Sequence, residues 1–274
     1  MKHILDKLIR LPDGIYTYDF KIEGQLEEIV MRERVAKTSV DYWEEIPKSH
    51  SIPVMQREVE IFLAQIPKNG IILDVGGGYG WHWKDLPTLR PDVTVVILDM
   101  IEENLRHAMK ILGNNMDNIY LVLGDATDLI FDDESFDGYW TVQTLQHVPN
   151  FNSAIEESYR VLKTEGMFAN YSLNNQAIVK LIYTILGKKY YTFGFKLAAA
   201  SEKQFNCIQN LYGDHSYKRY SEIIYEPGLK LIFPGRKGSL IGWIDSKLSG
   251  KQSILATIAR QQSFHAKKKG KQDT

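Results

Sequence analysis

Cysteine is almost missing from this chain. Cys207 stands alone among 274 residues, so no internal disulfide can form and nothing points to an oxidising compartment. Charge of one sign is missing too: 33 Lys and Arg against 34 Asp and Glu leave a net charge of −1. That denies the chain the broad positive field a nucleic-acid partner requires. Long apolar runs are also lacking; "AIVKLIYTILG" is about half of the ~20 residues that span a bilayer. The start, "MKHILDKLIRLPDGIY", scatters charges where a secretory signal would be continuously apolar. A cytoplasmic location without a transmembrane segment is therefore expected. The local exception is "HAKKKGKQDT", with four lysines from Lys267 to Lys271. It reads as a solvated end, and peripheral contact with a membrane is the lesser alternative. No motif encodes an oligomeric state.

What is present is an alternation of strand-like and helix-like segments. "VMQREVEIFLAQI" (54–66) carries apolar residues at helical spacing, and "IILDV" (71–75) follows as a continuous apolar strand. Further strands are expected at 93–99, 118–125, 135–143 and 166–173, with helices at 102–112 and 152–162. The latter is expected to be capped by Asn152 or Ser153. Strands apolar throughout, separated by helices, predict an α/β fold: a Rossmann-like, doubly wound, mostly parallel seven-stranded sheet with helices on both faces. The ligand then belongs at the carboxyl ends of the strands.

Four regions follow. Residues 1–50, aromatic and punctuated by proline, read as a helical or loop extension. Residues 51–173 are the cofactor-binding core. Residues 174–235 read as a mostly helical insertion and a candidate lid. Residues 236–274 supply a helix and a closing strand.

The first strand runs into "DVGGGYGWHW". Gly76, Gly77, Gly78 and Gly80 tolerate positive φ and put no Cβ in the way of a ligand. Free N–H groups at the following helix start suit a polar or anionic group. Asp99 ends the second strand, 23 residues beyond Gly76. A carboxylate there can accept from a ribose diol, or it can brace the next helix. "LVLGDATDL" ends the third strand, offering the Asp125 side chain to an exocyclic amine and the Ala126 N–H to a ring nitrogen.

Taken together, residues 71–173 resemble the core of a class I S-adenosylmethionine-dependent methyltransferase of the small-molecule branch. "DVGGGYG" matches that family's acidic, glycine-rich loop, and "GDATDL" its adenine-contacting motif. "FDGYWTVQTLQHV" with "YRVLKTEGMFANYSL" matches its fourth strand, helix and fifth strand. The resemblance implies S-adenosylmethionine as cofactor. Asp74 and the loop glycines would hold the methionine moiety, Asp99 and Met100 the ribose side, and Asp125 and Ala126 the adenine. Gln143 would lie near the transferring methyl. The departure "RVLKTEG", where the family often has a Pro-Gly-Gly turn, falls away from catalysis.

His147, at the carboxyl end of the fourth strand, is the candidate base or substrate contact; a histidine packed on the cofactor or on Trp140 explains it equally. His82, between Trp81 and Trp83, is a weaker candidate on the next helix. Tyr190, Tyr191, Phe193 and Phe195 could roof an acceptor or only anchor the insertion. Lys188, Lys189 and Lys196 could draw an anionic acceptor or simply be solvated. The expected function is methyl transfer to a small molecule such as a sugar or a lipid-linked or secondary metabolite, with no metal. Two alternatives stand beside it, an NAD-dependent oxidoreductase and a non-catalytic nucleoside-binding protein. The first needs G-x-G-x-x-G, and Trp81 occupies the last of those positions.

Overall fold

The computed structural model describes residues 2–20, 26–38, 51–174, 201–223, 239–250 and 259–270, with positions 181, 184, 185 and 187. In chain order come α1 (Lys2–Leu5), a hairpin of β1 (Ile9–Arg10) and β2 (Tyr16–Thr17), α2 (Leu26–Thr38) and α3 (Ile52–Leu63). The alternation then runs β3 (Ile71–Val75), α4 (Leu86–Leu89), β4 (Thr94–Asp99), α5 (Glu102–Leu112), β5 (Ile119–Leu123), β6 (Phe136–Val142), α6 (Phe151–Val161) and β7 (Leu162–Leu173). It closes with α7 (Ser201–Tyr212), β8 (Ser216–Ser221), α8 (Ser239–Leu248) and β9 (Gln261–Lys267).

The strands form one sheet in the order β1-β2-β5-β4-β3-β6-β7-β9-β8. From β5 to β7 every pairing is parallel, while β9 runs antiparallel to both β7 and β8. The chain winds outward from β3 to β5, then returns to place β6 on the other side of β3. That reversal opens a crevice at the carboxyl ends of β3 and β6, where ligands of such sheets bind.

Alternation of side chains sorts the core into two layers. Leu73, Val75, Val96, Leu98 and Phe168 face α6 and α7. Ile72, Val95, Ile97, Trp140 and Tyr171 face α3 and α5. Helix α3 covers its layer with Met55, Val59, Phe62 and Leu63, each such burial contributing about 1.5–3 kcal/mol.

Several expectations need correction. The first 50 residues are not only helix and loop: β1 and β2 extend the sheet, with β2 parallel to β5, so that among the described residues the sheet has nine strands where seven were expected. In the segment after β7, expected to be mostly helical, the described residues form α7 on one face and β8 at the sheet edge. Strand β8, "SYKRYS", mixes charge with tyrosine, and among the described residues it pairs with β9 alone, at the edge of the sheet. Helix α6 starts at Phe151 with Asn150 at its N-cap, in place of the expected Asn152 or Ser153, and without a side-chain cap. The lysine tail is not simply solvated. Lys267 and Lys269 pair with Glu165, and Lys268 donates to the Leu162 carbonyl. Glu165 sits at φ 67° in the "RVLKTEG" turn, at the amino end of the sheet and far from the crevice. The aromatic and lysine positions 188–196 lie outside the described residues. Among the described residues no helix is long and apolar enough to cross a membrane.

Candidate cofactor and acceptor site

Leaving β3, the chain turns through Gly76, Gly78 and Gly80 at φ 66°, 52° and 66°. An L side chain would be strained at each. The Gly76 and Gly77 N–H groups donate to the Leu98 carbonyl at 2.7 and 3.3 Å, so the loop is tied to the end of β4. Below the loop there is no room: a Cβ on Gly77 would fall 2.5 Å from Asp74 Oδ2, and one on Gly76 2.1 Å from the Thr144 methyl. Above it there is. A Cβ on Gly78 would meet nothing closer than 3.9 Å.

Asp74 lies fully buried beneath this turn. Its Oδ2 accepts from Trp83 Nε1 at 2.7 Å, while Oδ1 is buried without a hydrogen-bond partner. Burial pushes its carboxyl up to about 7; the Trp83 bond opposes this and the nearby Asp99 adds to it. Trp83 is thus a support for the acid, not a ligand wall. Trp81 is also buried, its ring 4.1 Å from that of His82. All three residues form a single 3-10 turn, where the sequence suggested a regular helix.

Asp99 is almost buried, and burial raises its pKa. Oδ2 accepts from Gly78 N at 2.9 Å; Oδ1 accepts from Ile101 N at 2.8 Å and Asn104 Nδ2 at 3.3 Å. Of the two readings of this residue, these contacts bear on the helix brace. It braces the start of α5 and fixes the glycine turn, and of the roughly four acceptor positions on a carboxylate three are taken. Met100 packs its side chain against Ile29, Ala36 and Ile101, toward α2.

Asp125 closes a tight turn, its Oδ1 accepting from Thr127 N at 2.9 Å and Thr127 Oγ1 at 3.0 Å. Ala126 beside it is buried. This loop is clamped by a residue that sequence reasoning missed, Tyr18. Its hydroxyl accepts from Asp125 N at 3.1 Å and donates to the Asp128 carbonyl at 2.8 Å. Its ring covers Gly124, where a Cβ would come within 2.4 Å. The glycine ahead of Asp125 was the available signal: it makes room for a ring from elsewhere.

At the end of β6, Gln143 adopts φ 52°, its N–H donating to the Tyr171 carbonyl at 2.7 Å and its Nε2 to Gln261 Oε1 at 3.3 Å. Thr144, also unforeseen, donates to the Gly76 carbonyl at 3.1 Å and so ties the β6 loop to the glycine turn. His147 follows in a 3-10 turn, half-buried, with its Nε2 3.0 Å from Gln146 Nε2. Trp140 packs on Phe62, Trp83, Tyr171 and His82.

The structure thus gathers Asp74, the glycines, Asp99, Asp125, Gln143 and His147 along one sheet edge. A strand order with the reversal at β3, together with this acid–glycine turn, is similar to the core of the class I S-adenosylmethionine-dependent methyltransferases. Residues 73–170 match the family described as Methyltransferase domain. The chain is 36% identical over 141 residues to the ubiquinone/menaquinone biosynthesis C-methyltransferase UbiE of Rickettsia prowazekii, covering 48% of this chain and 55% of that protein. It spans about half the length of the curated relatives it matches. Among solved structures, phosphoethanolamine N-methyltransferase 2 of Haemonchus contortus, in complex with S-adenosyl-L-methionine, shares the fold. It has a TM-score of 0.52 at 18% identity, over 78% of this chain and 52% of that one. The [4+2]-cyclase SpnF aligns with a TM-score of 0.56 at 16% identity, over 90% of this chain and 94% of that one.

Proposed function

We propose that the crevice at β3, β4 and β5 binds S-adenosylmethionine, and that the chain transfers its methyl group to a small molecule. The observation that carries this reading is Asp74 Oδ1. A buried carboxylate oxygen without a partner is costly, and it lies under a turn whose outer side, at Gly78, is open. A cationic ligand would relieve both the missing hydrogen bond and the burial that raises the Asp74 pKa. S-adenosylmethionine brings an ammonium and a sulfonium to such a place.

In this reading Asp74 and the glycine turn hold the methionine portion. Asp99 offers its remaining acceptor position to the ribose, and the Asp125–Ala126 turn receives the adenine. When bound, the sulfonium supplies an already activated methyl. The protein's share is to align an acceptor with it in a dry pocket, an effect that can reach ~7–11 kcal/mol. Gln143 and His147, at the end of β6, border the acceptor side. The likeness to quinone C-methyltransferases makes a ring carbon the first acceptor atom to test.

Calorimetry with S-adenosylmethionine, its demethylated product and NAD tests the reading. Binding of the first two and none of NAD is expected; NAD binding alone overturns it. Gly78→Val adds bulk where the loop is open, so affinity for S-adenosylmethionine should fall tenfold or more, about 1.4 kcal/mol. Retained affinity would place the cofactor elsewhere. Turnover with aromatic ring acceptors, against the enzyme-free rate, then separates a methyltransferase from a binding protein.

A further inference from the structure

We propose that Gln146 holds the proton of His147 on Nδ1, making this histidine a hydrogen-bond donor and not a base. The argument starts from a group whose role admits no choice. The main-chain N–H of Leu173 can only donate, and it lies 2.8 Å from one atom of the Gln146 amide. That atom must be the carbonyl oxygen. Ser172 Oγ donates to the same oxygen at 2.8 Å. The other end of the amide is therefore the NH2 group, which has no lone pair to offer. It sits 3.0 Å from His147 Nε2. For that contact to be a hydrogen bond, Nε2 must present a lone pair, and a neutral imidazole then carries its hydrogen on Nδ1.

Gln146 itself is held from behind. Ser172 Oγ, having donated to Gln146, accepts from Gln204 Nε2 at 3.0 Å, and Gln204 Oε1 accepts from Asn170 Nδ2 at 3.2 Å. Asn170, Ser172, Gln204 and Gln146 are all buried. A relay of four polar side chains with every direction dictated thus runs from α7 through β7 to the turn after β6. Reversing any amide in it would set two donors, or two acceptors, face to face among buried side chains, which costs about 1–3 kcal/mol for each unsatisfied group. Gln204 comes from the segment after β7, so α7 takes part in fixing the histidine even though its own residues lie outside the crevice. Gln146 is on this account a positioning residue.

The chemical consequence rests on the function proposed above. The one ring lone pair that could take a proton from an acceptor is engaged by Gln146. An acceptor whose nucleophile is protonated must then lose its proton to another group. The tautomer itself does not depend on that function.

Long-range proton–nitrogen correlation NMR on the full chain, labelled with 15N-histidine, tests the proposal at about pH 8, above the ordinary imidazole pKa. The chain has seven histidines, and His147→Gln identifies the signal. A pyrrole-type Nδ1 and a pyridine-type Nε2 are expected, the reverse of the form that dominates in free histidine. A proton on Nε2 in the wild-type protein overturns the proposal without any variant. Gln146→Glu is nearly isosteric but accepts only: one carboxylate oxygen still serves Leu173 and Ser172, and the other demands a donor. The proton should move to Nε2, and an unmoved proton overturns the proposal. If that variant loses the dispersion of the other histidine signals, Ser172→Ala decides instead. It keeps the Leu173 N–H on the amide oxygen, so the Nδ1–H form should persist, and its loss would overturn the assignment. Failure to bind S-adenosylmethionine would leave all these outcomes intact and bear only on the cofactor reading.

Discussion

The two halves of the crevice are built differently. On the β3–β4 side the work is done by main chain and short spacing: Gly76 and Gly77 bond to Leu98, Gly78 to Asp99, and Trp83 reaches back nine residues to Asp74. On the β6–β7–β9 side it is done by side chains meeting across long separations. Gln143 meets Gln261, Gln146 meets Ser172, and Arg219 meets Glu58. A cofactor common to many proteins can be held by a portable turn. An acceptor specific to one requires residues drawn from wherever the fold brings them. The comparison therefore predicts that damage on the second side changes stability or acceptor handling and leaves cofactor affinity alone.

The sharpest break of that comparison is at Glu58, buried in α3. Arg219 Nη1 and Nη2 lie 3.1 Å from its two oxygens, and Tyr171 Oη donates to Oε2 at 2.9 Å. Burial still pushes the Glu58 carboxyl up, with Arg219 and Tyr171 opposing it. Arg219→Met removes the cation hydrogen-bonded to that charge and should lower unfolding free energy by about 3–5 kcal/mol in urea titrations. The affinity of the folded protein for S-adenosylmethionine should stay within about twofold, under 0.5 kcal/mol. A large loss of affinity would show that the two halves are not separable.

The same contrast explains what the sequence could and could not reveal. Strands β3 to β7 are largely buried, so apolar runs such as "IIL" in β3 and "VVIL" in β4 stand out. Strand β8 and the β1–β2 hairpin are not: two-residue strands carry no periodicity, and "SYKRYS" mixes charge into a strand recognisable only beside β9. Among site residues, Asp74, Asp99 and Asp125 follow from position at strand ends. Thr144, Tyr18 and Gln146 act on groups 68, 107 and 26 residues away, and no local pattern encodes such partners. Trp83 was visible as a residue but not as the donor to Asp74, since that needs the 3-10 turn to aim its ring.

Asp74 gives a pH test confined to the cofactor half. Its pKa is raised to about 7 in the folded protein, against ~3.9 for an unfolded aspartate. Between those values the native state keeps a proton that the unfolded state has released, so this group's contribution falls as pH rises from about 4 to 7. It is fully present below pH ~4 and lost above pH ~7. Asp74→Asn removes the slope while still allowing Trp83 to donate to the amide oxygen. Stability of the variant relative to the native chain should therefore climb across that range, by a few kcal/mol at most, measured by urea unfolding at a series of pH values without cofactor. Parallel curves would mean that Asp74 is not desolvated in solution.

The smallest effect belongs to Tyr18, and it bears on where the boundary between the two halves lies. This residue comes from the N-terminal extension, outside the segment that carries the family motifs, yet it touches the turn read as the adenine site. Tyr18→Phe keeps the ring over Gly124 and removes only the hydroxyl that accepts from Asp125 N and donates to the Asp128 carbonyl. The Asp125 N–H is then left buried, while Asp128 is exposed and its carbonyl can turn to water. A loss of about 1–2 kcal/mol in stability is expected. Affinity for S-adenosylmethionine should drop severalfold, with the demethylated product weakened in proportion because both share the adenosine. Weakened stability with unchanged affinity would mean that the 124–128 turn keeps its shape without the hairpin, and the motif-bearing core alone would then define the nucleoside site.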